Sequence, residues 1–268
     1  MTTTSITGRK PLEAIWTRLV IDPVADRVVR LLVRRLWVTP NRVTLAAGFL
    51  AVCAAVAFGT GQLVVGAVAF QLRFLVDCLD GRLARLRGTA TTWGGALDLI
   101  VDVVGITLSY AALATYVVNA GAAPPVLASA VIATSGVYMW TLTHRKSLPG
   151  GSQHDWLGEA AVEGGTPASR SFRGRIVQAM ARHGMVPTPY AVEVEACVLT
   201  LAPLSVLVVP GHALAVVVAC LWGATGFYVL ASALNVYRTW RCADALDARH
   251  VRDLRNLHGD GTDKESLT

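Results

Sequence analysis

DCLDGRLARLRGTATTWGGALDLIVD, residues 77–102, places four carboxylates (Asp77, Asp80, Asp98 and Asp102) inside or beside apolar sequence. An unpaired charge is expensive in such surroundings, so ionisable residues there default to a functional reading. Each helical residue advances about 100°, and positions three, four and seven apart share a face. Asp77, Asp80, Gly81 and Ala84 therefore line one face of a first helix. Gly94, Asp98, Asp102 and Gly105 line one face of a second, and LRGTATTW between them suits a helix–helix turn. Like charges stay ionised together only where cations hold them, and hard oxygen ligands call for magnesium, manganese or calcium. Gly81, Ala84 and Gly94 remove bulk where a ligand or helix approaches, while Arg82, Arg85 and Arg87 offer guanidinium groups suited to phosphate.

Taken together, Asp77-x2-Asp80-Gly81-x2-Ala84-Arg85-x8-Gly94-x3-Asp98-x3-Asp102 resembles, at eight fixed positions, the signature of the CDP-alcohol phosphotransferase family. A minor departure is Val103, where many relatives carry a basic residue. The resemblance implies displacement at the β-phosphate of a CDP-alcohol by an acceptor hydroxyl, with release of CMP. It implies Asp77, Asp80, Asp98 and Asp102 as the ligands of two Mg²⁺ or Mn²⁺ ions, Asp102 acting also as general base. Gly81, Ala84 and Arg85 become CDP contacts, joined by Asn41 and Thr44 of a Pro-Asn-x-x-Thr element that relatives carry near the nucleotide. A CDP-linked lipid donor, a small hydroxyl acceptor and a homodimer are the partners it implies.

Composition agrees with a membrane body. Of 268 residues 53% are hydrophobic and only 16% charged, against roughly 25% charged in soluble domains. The mean hydropathy is +0.49. Five scattered cysteines give no disulfide framework and no zinc spacing, and read as small buried hydrophobes. MTTTSITGRKPLEAIW lacks the apolar core of a signal peptide.

Six stretches reach the length of a span: roughly 43–59, 63–85, 93–118, 124–143, 189–208 and 212–236. The expected fold is an all-α integral membrane protein with six transmembrane helices behind an N-terminal interfacial amphipathic helix. Residues 1–38 form the interfacial segment, 39–240 the catalytic domain and 241–268 a charged tail. Of the 24 Lys and Arg, all but Arg73 fall before the first span, in alternate connections, or in the tail. The opposite loops GTGQ, NAGAAP and PGH have none. By the positive-inside rule both termini and the motif face the cytoplasm, in the inner membrane. The net charge of +6 thus serves topology and lipid rather than nucleic acid.

The same placement bears on the acceptor. Arg170, Arg173 and Arg175 follow a Gly-rich loop and suit an anionic acceptor, lipid headgroups or topology alike. Arg145, Lys146 and Arg238 are further acceptor candidates. Inositol phosphate or glycerol phosphate with CDP-diacylglycerol fits this basic face; serine or a non-lipid CDP-alcohol is the alternative. Glu193 and Glu195, two apart, cannot share a helical face. One is expected at the cavity or paired with Arg145 or Arg73, the other at the interface. An ion or proton transporter would need carboxylates at mid-membrane and a polar path to both faces, which these spans lack.

Overall fold

A computed structural model of the chain describes residues 8–10, 13–147, 175, 179–180, 182–186 and 191–262, without the side chains of 245 and 249–262. The described residues are helical throughout, with no strand and one isolated bridge between Glu13 and Met185.

A π-helical turn, Thr17–Ile21, leads into α1 (Asp22–Leu32). The remaining helices are α2 (Pro40–Gly59), α3 (Leu63–Arg87), α4 (Thr92–Asn119), α5 (Val126–Ser147), α6 (Ala191–Ala196) and α7 (Ala213–Thr262). α6 runs on through a π-helical turn, Cys197–Leu201, and Ala202–Leu204. Local sequence explains the boundaries around the motif. Thr39 and Thr91 cap α2 and α4 with their hydroxyls, and Pro40 sits in the first turn, where a missing N–H costs nothing. Gly88 ends α3 in the left-handed conformation, with φ of 63°, a geometry that disfavours any side chain.

α2 packs on both α3 and α4, and the two motif helices pack chiefly on α2 rather than on each other. Small residues make this possible: Ala47, Ala51 and Ala54 of α2 are almost fully buried. A Cβ added at Gly105 of α4 would stand 2.8 Å from Ala51 Cβ. α5 and α7 close the other side around Tyr110, Tyr138 and Tyr228, where the Tyr110 and Tyr228 hydroxyls share a 3.0 Å hydrogen bond.

Four helices (α2, α4, α5 and α7) are long and apolar enough to cross a membrane. The other two expected spans fall short by the same measure. α3 carries Arg73, Asp77 and Asp80 within its apolar run, and α6 is divided into short pieces. α1 is strongly amphipathic, and Ile21, Ala25 and Val29 are buried with Val43 of α2 and Leu79 and Leu83 of α3. One face of α1 is thus spent on protein. Val24 and Leu31 of α1, and Leu19 of the turn before it, are exposed. α7 is a single 50-residue helix that passes straight through the boundary expected at residue 240. No disulfide joins any of the five cysteines.

Candidate active site

Because α3 and α4 lean on α2, their facing carboxylates flank a cleft instead of a sealed interface. Asp77, Asp80 and Asp98 each offer an oxygen, and these atoms lie within 4.8 Å of one another. Two ligands on opposite sides of a magnesium ion stand about 4.2 Å apart, so small side-chain rotations would close the set on a cation. Asp77 Oδ1 is buried and has no hydrogen-bond partner, an orphaned acceptor that a cation would satisfy. Asp80 is held from α2, where Thr44 Oγ1 donates to Asp80 Oδ2 at 2.5 Å. Asp102 stands apart from the three: its Oδ1 accepts from Arg73 Nη2.

Two cavities meet at the aspartates. The smaller, about 200 Å³, is lined by Asn41, Thr44, Gly81, Ala84 and Arg85, together with Asp80, Asp98 and the turn residues from Thr89. All five residues expected at the nucleotide are thus brought to one hollow. A Cβ at Gly94 would meet Thr91 Oγ1 at 3.1 Å and Asn41 Oδ1 at 3.4 Å, so glycine keeps this hollow open. The larger, about 400 Å³, is lined by all four aspartates and by Arg73, Glu195, Lys10, Glu13 and Lys146.

A strap of N-terminal residues, Lys10 and Glu13 among them, lies over the larger cavity. Gly8 O accepts from Arg85 Nε at 2.8 Å. Glu13 N donates to Gly184 O, and Val186 N to Glu13 O, both at 3.0 Å. Ile15 N then donates to Glu193 Oε1 at 2.7 Å.

The structure separates residues that sequence treats alike. Arg82 is engaged by protein carboxylates, its guanidinium bonded to Asp22 and, at 2.8 Å, to Asp26. Arg87 is used on backbone, donating to the carbonyls of Val38, Leu32, Val33 and Arg35. Of the three motif arginines, Arg85 and Arg82 line the larger cavity, and Arg85 alone also reaches the nucleotide hollow. Glu193, expected at one of two places, holds the strap instead, because backbone N–H groups at the start of a helix need acceptors. Glu195 is the one that faces the cavity, with 7% exposure. Among the acceptor candidates, Lys146 lines the larger cavity, Arg145 is buried, and Arg175 and Arg238 are exposed. Arg170 and Arg173 lie outside the described residues. Sequence reasoning gave no site role to Lys10 or Glu13, which come from the far N-terminus, and treated Arg73 only as a pairing partner. A lone arginine in an apolar span was the signal for the last.

Among known proteins, the chain is 33% identical over 124 residues to the phosphatidylinositol phosphate synthase of Corynebacterium glutamicum, covering 46% of this chain and 52% of that one. It is 37% identical over 98 residues to the archaetidylinositol phosphate synthase of Methanothermobacter thermautotrophicus, covering 34% of this chain and 46% of that one. The chain thus spans about half the length of the curated relatives it matches. The crystal structure of Mycobacterium tuberculosis phosphatidylinositol phosphate synthase with CDP-DAG bound aligns with a TM-score of 0.49 at 22% identity, over 82% of this chain and 94% of that one. The family profile of CDP-alcohol phosphatidyltransferases matches residues 37–226, the whole of the motif and the helices that carry it, and the chain belongs to that family.

Proposed function

We propose that this protein transfers the phosphatidyl group of CDP-diacylglycerol to a hydroxyl of an anionic acceptor, inositol phosphate, and releases CMP. The observation that carries this reading is the meeting of two cavities at Asp77, Asp80 and Asp98, one hollow for a nucleotide and one for an acceptor. The choice of acceptor is supported by the two relatives, both named for inositol phosphate products, and by Lys146 in the larger cavity.

Asp77, Asp80 and Asp98 would hold Mg²⁺ or Mn²⁺, with Asp102 completing a two-ion set. The ions would screen the pyrophosphate and the departing CMP. Thr44 fixes Asp80, and Gly81, Ala84 and Gly94 leave room for the cytidine nucleotide beside Arg85 and Asn41. Asp102 takes the proton as the acceptor oxygen forms its bond to the β-phosphorus and the bond to the CMP oxygen breaks. Arg145, Lys146 and Arg238, with Arg170, Arg173 and Arg175, would hold the acceptor phosphate by charge-assisted hydrogen bonds.

The setting we propose is the inner membrane, with six spans, both termini and the site on the cytoplasmic side, and a homodimer as the working unit. The one-sided basic residues support the orientation. The decisive experiment incubates purified protein with labelled CDP-diacylglycerol and, separately, inositol phosphate, glycerol phosphate and serine. CMP release with inositol phosphate, lost in EDTA and restored by Mg²⁺ or Mn²⁺, is expected. Release with serine alone would move the acceptor, and no release with any acceptor would end the reading.

A further inference from the structure

Arg73 is a full cation with 0% exposure, set one helical turn before Asp77 on the apolar side of α3. Burying a guanidinium is costly unless it is paired. Gly105 of α4 packs beside it: a Cβ there would lie 2.8 Å from Ala51 Cβ and, at ordinary contact distance, 3.6 Å from Arg73 Nε. Phe70 lies under the guanidinium, 5.6 Å from ring centre to Cζ. Its hydrogen bond is to Asp102 Oδ1; Nε and Nη1 are buried without a partner, on the wall of the larger cavity.

We propose that Arg73 is a positioning residue of the transfer reaction: it grips Asp102 by Oδ1 and so turns Oδ2 to the acceptor hydroxyl. A carboxylate free to rotate would not keep an oxygen at the proton it must take. Holding one oxygen from outside the site fixes the other. The role rests on the phosphotransferase reading above, and goes beyond it by naming the group that sets the base.

The test compares Arg73→Met, Arg73→Lys, Asp102→Asn and the Arg73→Met/Asp102→Asn double variant with wild type. In Arg73→Met, kcat falls about 10–100-fold, as for loss of an orienting partner, while KM for donor and acceptor stays within about threefold. Arg73→Lys, which keeps a charge but not the fork, recovers part of that loss. The double variant is no more than about threefold slower than Asp102→Asn, because Arg73 acts only through Asp102. This last comparison stands even where Arg73→Met alone does not fold, since the double variant leaves no uncompensated charge. A wild-type kcat in Arg73→Met, a rise in either KM in place of the fall in kcat, or multiplying losses in the double variant would overturn the proposal. Calorimetric titration with Mn²⁺ needs no turnover. Losing the Arg73 charge and freeing Asp102 both favour a cation, so folded Arg73→Met binds Mn²⁺ at least about threefold tighter, and the gain is smaller in the Asp102→Asn background. An equal gain in both backgrounds, or no gain, would refute the grip itself. Wild-type protein that releases no CMP would instead sink the phosphotransferase reading and leave the Mn²⁺ result to decide on Arg73.

Discussion

Asp77 is the most exacting residue of the cluster, because its buried Oδ1 has no protein donor to fall back on. An amide in its place keeps the volume but removes the charge that holds a divalent cation. Asp77→Asn should therefore lose activity and, measured separately by calorimetry, lose Mn²⁺ binding, while its thermal unfolding in metal-free buffer stays near wild type. Retained Mn²⁺ affinity would take Asp77 out of the ligand set. The four aspartates were legible from spacing alone, since three- and four-residue steps leave a helix little choice of face. What spacing could not give was the partner of each charge. Asp22 and Asp26, ordinary helix residues in sequence, take Arg82; Glu193 takes backbone N–H groups at Ile15 and Trp16. These pairings join residues far apart in the chain, and no local pattern encodes them.

At the scale of elements, α1 is fastened to α3 by a buried ionic knot. Arg82 is 1% exposed and meets Asp22 and Asp26, while Arg9 reaches Asp26 and Arg18 meets Asp22 at 3.0 Å. Removing one partner of a buried pair leaves uncompensated charge and costs about 3–5 kcal/mol. Arg82→Met should lower the unfolding midpoint by about 5 °C or more and expose 17–32 to protease, without changing Mn²⁺ affinity. An unchanged midpoint would mean that the apolar stripe of Ile21, Ala25 and Val29 holds α1 unaided. The seam between α2 and α4 is tighter still. Gly105→Ala drives a methyl to 2.8 Å from Ala51 Cβ and toward the Arg73 guanidinium, overpacking worth about 1–3 kcal/mol. The expected result is a less stable protein with reduced kcat; Ala51→Gly in the same chain should restore part of both. Sequence foretold helices at these places. It did not foretell that α2 would stand between the motif helices, because a run of alanines reads simply as apolar.

For the whole molecule, orientation is the testable property. In a chain whose native cysteines are replaced by serine, a cysteine at Gly121 should react with an impermeant reagent added to intact cells. One at Ser147, at the other end of α5, should react only after the membrane is broken. The opposite labelling would put the aspartates on the wrong side for a cytoplasmic acceptor. Hydropathy located the four helices long and apolar enough to cross a membrane, yet it overstated the uniformity of α3 and α6, whose apolar character is interrupted beside the aspartates and Glu195. The strap over the larger cavity carries a temporal meaning as well. Synthesis delivers residues 8–15 first, whereas Gly184 and Glu193 are made long afterwards, with 178 positions between Ile15 and its carboxylate. A growing chain can thus hold all four aspartates in the bilayer while the cavity still lacks its cover. Gly8 and Arg9 can meet Arg85 and Asp26 early, but Glu13 and Ile15 can close over the cavity only once Gly184, Val186 and Glu193 have been made.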